Sequence, residues 1–157
     1  MLIGAPNMSR PAIQFFAMFS RIEYAMKRCD AYRTLIINKK KPHRSWLQAD
    51  WSKLATSSNI QNLWPQLEQD LNAQEIIKSP PRLLTLKGQS VEFGDQPPPC
   101  TDVGEMFIAM KDVRNNLFHG EKGNASQPRE VELLGAGLYI MDKILEVEPE
   151  ILANYWF

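Results

Sequence analysis

The chain has 157 residues, 44% of them apolar and 23% charged, with 18 basic side chains balanced by 18 acidic ones. The length fits one domain spanning residues 1–157, and the apolar fraction is enough for a real core. Zero net charge argues against a nucleic-acid binder that works by bulk positive charge, while leaving room for a local basic site. No run approaches the ~18 apolar residues of a membrane span, so no membrane contact is expected. The opening "MLIGAPNMSRP" lacks the charged-then-apolar order of a signal peptide. Cys29 and Cys100 stand far apart without neighbours at metal-ligand spacing, which reads as two free thiols in a reducing compartment. A cytoplasmic setting is expected.

Ser9 before Arg10-Pro11 is a plausible helix start, with proline tolerated in the first turn. Ile13, Phe16, Ala17, Ser20, Tyr24, Ala25 and Cys29 recur at three- and four-residue spacing. They predict one long amphipathic helix, from about residue 10 to residue 37 at most. The run "NKKKPHR" ends it, because a proline disfavours helix in the residue before it. Ser45 can cap a second helix carrying Trp46, Leu47, Trp51, Leu54 and Ala55. Asn59 can cap a third, with Ile60, Leu63, Trp64, Leu67 and Leu71. Pro65 either sits in its first turn or kinks a longer helix. The pattern can extend to about Ile77, before Pro80-Pro81.

Residues 79–101 read as an irregular insertion. "LLTL" and "VEF" are short β-like runs around "KGQS" that can form a small hairpin, and "GDQPPPC" cannot be regular structure. Order returns at Asp102, with Glu105 three residues later as in a capping box. Met106, Met110, Val113 and Leu117 form the next apolar stripe, and Gly120 is the expected C-cap. "EKGNASQP" is a polar loop. A last long helix follows, with Val131, Leu134, Leu138, Met141 and Leu145 on one stripe and Leu133, Gly137, Ile140 and Ile144 beside it. Gly135 and Gly137 can allow close helix approach, a dimer interface included. The apolar end "ILANYWF" is expected to dock on the core or on a partner. The fold class expected is all-α: a bundle of four to five helices with one irregular excursion.

One stretch carries chemistry: "DVRNNLFHGEK", residues 112–122. Arg114 and His119 are about 140° apart on an ideal helix, and only a long arginine or a distorted last turn brings them together. Asn115 and His119 share a face. Histidine is a general acid or base near neutral pH. Arginine grips a phosphate with forked hydrogen bonds and stabilises a pentacoordinate transition state. Asn115 can orient either group. No acidic cluster at metal-ligand spacing accompanies them, which points to metal-independent cleavage of RNA with its own 2′-hydroxyl as nucleophile. Neither metal nor cofactor is expected. The plainer alternative is a polar helix end: helix C-termini favour Arg and His through the macrodipole, with glycine next. Residue types and spacing leave both readings open.

The whole string, "VRNNLFHGEK", on the penultimate helix of a small α-bundle resembles the HEPN superfamily (higher eukaryotes and prokaryotes nucleotide-binding). Ribonuclease members of that family carry an R-x4–6-H motif with a polar residue just after the arginine, a pattern that Arg114, Asn115 and His119 match position by position. The resemblance covers residues 103–145, extends to residues 10–35 and does not reach residues 38–101. It implies a metal-independent endoribonuclease that works as a homodimer, with the motifs of two protomers facing each other across one composite active site. Arg114 would then contact the scissile phosphate, and His119 would take part in proton transfer. It further implies a toxin of a toxin–antitoxin pair or a phage-defence effector, with RNA as substrate and an antitoxin or regulatory protein as partner. A non-catalytic HEPN-like module that binds a nucleotide or a protein is the alternative.

Around the motif, Asn116 and Lys122 are candidate substrate contacts. Glu23 is either a supporting partner of Arg114 or an exposed glutamate beside Arg21 and Lys27. "NKKKPHR" can contact an RNA backbone but reads more simply as a solvated loop. Trp46, Trp51 and Trp64 can stack bases, but their helical spacing beside leucines predicts core. Cys29 is expected to be inert core, and nothing near Cys100 would activate it.

Overall fold

The computed structural model describes residues 8–118 and 128–157. Ser9 opens the first helix, α1 (Arg10–Arg28): its hydroxyl accepts from the Ala12 amide at 3.3 Å, with Pro11 in the first turn. The buried face is Ala12, Phe15, Phe19, Ile22, Met26 and Cys29, a clean alternation of three- and four-residue steps. The stripe predicted from Ile13 and Tyr24 is rotated from it, and both residues are largely exposed. The true face is recognised by its large side chains; the predicted one had to accommodate Ser20.

Helix α1 ends nine residues earlier than expected. A 3₁₀ turn (Asp30–Tyr32) leads into strand β1 (Arg33–Ile36), which pairs antiparallel with β2 (Trp46–Ala49). The expected second helix therefore starts late, at α2 (Trp51–Ala55), capped by Asp50 rather than Ser45. Thr34, Ile36 and Ile37 explain the switch, since β-branched side chains are stiff in a helix and fit a pleated ladder. The fold is thus mostly helical, at 61% helix, but it is not strictly all-α.

Helix α3 (Ser58–Leu67) is preceded by Ser57 at its N-cap, not Asn59, and carries Pro65 inside. Ile60, Leu63 and Leu67 are buried, whereas Leu71 is exposed. A single helical turn, α4 (Gln74–Ile77), precedes the prolines. The insertion holds the expected hairpin, β3 (Leu84–Lys87) with β4 (Ser90–Phe93), turning at Gly88 with φ +65°, a conformation suited to glycine. Helix α5 (Val103–Phe118) opens on the capping box: the Glu105 amide donates to Asp102 Oδ1 at 2.8 Å. Its partner carboxylate reaches one residue further back, accepting from the Thr101 amide at 2.6 Å. Helices α6 (Pro128–Val147) and α7 (Pro149–Tyr155) complete the chain. Among the described residues the helices number seven rather than four or five, two of them a single turn or little more.

The buried side chains form one cluster around α1, α5 and α6. Helix α6 packs on α1, α3, α4 and α5, as its broad apolar surface predicts. Gly137 of α6 faces Phe15 of α1 closely: a β-carbon built there would overlap the Phe15 ring, while Gly135 faces open space. The close approach is within the chain. Helix α7 lies along α1 with Ile151 buried, and Trp156 and Phe157 remain exposed. No helix among the described residues is long and apolar enough to cross a membrane.

Candidate functional site

Met106, Phe107, Met110 and Val113 fix one side of α5 in the core. That leaves Arg114 at the helix flank, where its side chain is 25% exposed. Its guanidinium lies over the Phe19 ring of α1, 5.0 Å from the centroid. Cation–π contact of this kind holds a guanidinium against an aromatic face. Phe19 in turn stacks on Trp51, at 5.1 Å between centroids, and Trp51 meets Phe107 edge-on at the same distance. The arginine therefore rests on an aromatic floor built from three elements.

Two oxygens steer it in that plane. Glu23 of α1 accepts from Arg114 Nη1 at 3.3 and 3.4 Å through its two carboxylate oxygens. Asn115 Oδ1 accepts from Nε at 3.3 Å and from Nη2 at 3.1 Å. Glu23 is itself held by the Trp51 indole, whose Nε1 donates to Oε1 at 2.9 Å. Of the two placements read for Glu23, the structure has the one against Arg114. A guanidinium has five N–H groups. Three are engaged by these contacts, and one on each terminal nitrogen has no partner among the described residues.

Asn116 faces elsewhere. Its Nδ2 donates to the Arg82 carbonyl at 3.1 Å and so ties α5 to the proline-rich insertion. His119, Lys122 and Gly120 lie outside the described residues, so the described part of the motif is Arg114, Asn115 and Asn116.

Sequence reasoning passed over Phe19 and Trp51 as parts of this arrangement. Their signal was the correct α1 face, which places Phe19 one turn before Glu23. It also passed over Asp112. This carboxyl lies nearly opposite Arg114 on α5 and lines a groove of about 250 Å³ with Ile108, Cys100 and several prolines. Burial raises its pKa from the ordinary value. Cys29 and Cys100 are both buried, and burial pushes each thiol up to about 11, so neither is an activated nucleophile.

Of the tryptophans, Trp51 is buried and Trp64 packs against the core, but Trp46 is 54% exposed because it stands on β2 rather than on a helix. A guanidinium braced on aromatic rings and flanked by a carboxylate and an amide can bind an oxyanion in a defined orientation. No family model matches the chain, and no curated protein or solved structure matches it either.

Proposed function

We propose that the chain is a metal-independent endoribonuclease of the HEPN type, acting as a homodimer on single-stranded or looped RNA. One observation supports this above the rest: Arg114 lies over Phe19 and is steered by Glu23 and Asn115, and an N–H on each terminal nitrogen has no partner among the described residues. The helix that carries it runs in sequence toward His119, the general acid–base of the motif.

In the proposed reaction the RNA 2′-oxygen attacks the adjacent phosphorus. The O2′–P bond forms as the P–O5′ bond breaks. A histidine base takes the 2′-hydroxyl proton, and the departing O5′ receives a proton from the acid form. The products are a 2′,3′-cyclic phosphate and a 5′-hydroxyl. Arg114 stabilises the charge that develops on the phosphorane oxygens. In a dimer, His119 of one protomer serves as base while its copy serves as acid, which relieves the poor mutual placement that an ideal helix would give positions 114 and 119. The role proposed with it is that of a toxin or phage-defence effector with an antitoxin or regulatory partner, as the resemblance implies, in the cytoplasm expected from the two free thiols.

Incubation of purified protein with RNA in EDTA tests this. Wild type is expected to leave 2′,3′-cyclic phosphate ends, and Arg114→Ala and His119→Ala to lose cleavage while keeping their circular dichroism. Cleavage that survives both substitutions sinks the proposal.

A second reading is favoured by the same arginine. Three of its five N–H groups already have partners within the chain, as in an arginine that braces α5 against α1. In that reading the chain is a non-catalytic HEPN-like module that binds a nucleotide or a protein. It wins if no RNA is cut and Arg114→Ala lowers only the melting temperature or the dimer affinity.

A further inference from the structure

Residues 33–48 hold five basic side chains (Arg33, Lys39, Lys40, Lys41 and Arg44) and no carboxylate. The rest of the chain then has 13 basic groups (18 less these five) against 18 acidic ones. A neutral protein has thus gathered its positive charge on one hairpin, β1–β2. Arg33 pairs with Asp30, but the other four make no ion pair among the described residues, and Lys39 through Arg44 are all exposed.

The tip that displays them is built, not loose. Asn38 Oδ1 accepts from the amides of Lys40 at 3.1 Å and Lys41 at 2.9 Å. The Asn38 amide donates across the loop to Ser45 Oγ at 3.0 Å, and the Arg44 amide donates to the Lys41 carbonyl at 2.8 Å. Immediately below the tip, Trp46 stands opposite Ile36 in the ladder and is 54% exposed. An indole this open beside four unpaired cations is the combination that single-stranded nucleic acid uses: phosphates on the cations, a base on the ring.

We infer that the β1–β2 hairpin is an RNA-binding arm, in which Lys39, Lys40, Lys41 and Arg44 hold phosphates of a single strand and one base stacks on Trp46. The choice of RNA rests on the ribonuclease reading above. The arm is rooted at the candidate site: β2 runs through Asp50 into Trp51, whose indole donates to Glu23, the partner of Arg114. Trp46 and Trp51 are five residues apart, roughly 17 Å of extended chain at ~3.3 Å per residue. A strand of a few nucleotides spans that distance.

The other polyanion, a lipid surface, suits this hairpin less well. An inserting hairpin leads with apolar side chains and keeps its cations at the headgroups. Here the order is reversed: the lysines are at the tip, and Leu35, Leu47 and Trp46 lie on the strands below them.

Fluorescence anisotropy with a short 2′-O-methyl RNA tests the arm, because that probe lacks the nucleophile and stays uncut. In EDTA over a salt series, the combined K39A/K40A/K41A/R44A variant is expected to bind at least tenfold more weakly. Its log K against log salt slope falls by about 2–3, since each phosphate contact on a single strand contributes about 0.7. Trp46→Ala loses roughly tenfold in affinity with the slope unchanged. RNA quenches tryptophan emission in wild type, and the quench disappears in Trp46→Phe. An unchanged slope in the four-fold variant, a quench that persists in Trp46→Phe, or arm-dependent binding to phosphatidylserine vesicles without RNA binding overturns the inference. If wild type cuts unmodified RNA but the slope ignores the arm, only the arm falls. If the slope depends on the arm but nothing is cut, only the ribonuclease reading falls.

Discussion

Glu23 and Glu148 each accept hydrogen bonds from two donors distant in sequence, and the contrast between them separates a candidate site from a structural joint. Glu148 is 2% exposed, at the N-cap of α7, and its two carboxylate oxygens accept from the hydroxyls of Tyr32 (2.9 Å) and Ser57. No cation faces it among the described residues. Glu23 is partly open, accepts from an indole and a guanidinium, and leaves that guanidinium with donors that have no partner among the described residues. A sealed carboxylate whose bonds are complete can hold elements together. A half-open one that steers a cation can also position chemistry.

Four outcomes break or sharpen this contrast. The largest is expected at Arg114. Under the ribonuclease reading Arg114→Ala lowers cleavage by about 10²–10³-fold, the usual effect of removing one transition-state donor. It costs only about 1–2 kcal/mol of stability in urea melts, because the pair is partly exposed. Next is Glu148→Ala. It orphans two hydroxyls and opens a small void, so we expect a loss of about 2 kcal/mol in urea denaturation with kcat unchanged in the folded protein. If cleavage disappears while stability holds, the two carboxylates are not as different as their surroundings indicate.

Third, Glu23→Gln keeps an acceptor for Trp51 but removes the charge facing Arg114. We expect kcat to fall about tenfold, equivalent to about 1.4 kcal/mol, with KM and melting temperature little changed. A change in stability alone would make Glu23 a joint like Glu148. The smallest effect concerns a third carboxylate, Asp50, which caps α2 and accepts from the Thr34 and Ser52 hydroxyls. Those hydroxyls, with Ser52 the larger influence, hold its pKa down from 3.8 to about 2. A depressed folded-state pKa means that its stabilisation is present above pH 3.8 and is lost as pH falls toward 2. Asp50→Ala should flatten that limb of the stability–pH curve and cost about 1 kcal/mol at neutral pH.

The sequence carried the helices that have a strong period and a clear cap. Ser9 with Pro11, and Asp102 with Glu105, marked two N-termini, and Met106, Met110 and Val113 marked the buried face of α5. The prolines around residues 80–99 marked the irregular insertion and its hairpin. Hairpin β1–β2 was not legible, because "RTLII" continues an apolar run that either period can absorb; only pairing with "WLQA" decides it, and its partners lie ten to sixteen residues apart. The same limit hid part of the site. The phase of α1 was misread, so Phe19 was not seen beneath Arg114, and a cation–π contact between α1 and α5 leaves no spacing signature. Glu23 opposite Arg114 was legible only as one of two alternatives, since the pair lies 91 residues apart.

The tight crossing of α1 and α6 at Gly137 has an evolutionary consequence. A β-carbon at 137 and the phenyl ring at 15 in its present position cannot occupy the same space, so the two positions constrain each other. A relative that has gained a side chain at 137 must have given up the ring at 15 or moved one helix aside. Paired exchange at these positions, glycine with a large residue or alanine with a small one, is therefore the pattern expected in sequences that keep this crossing.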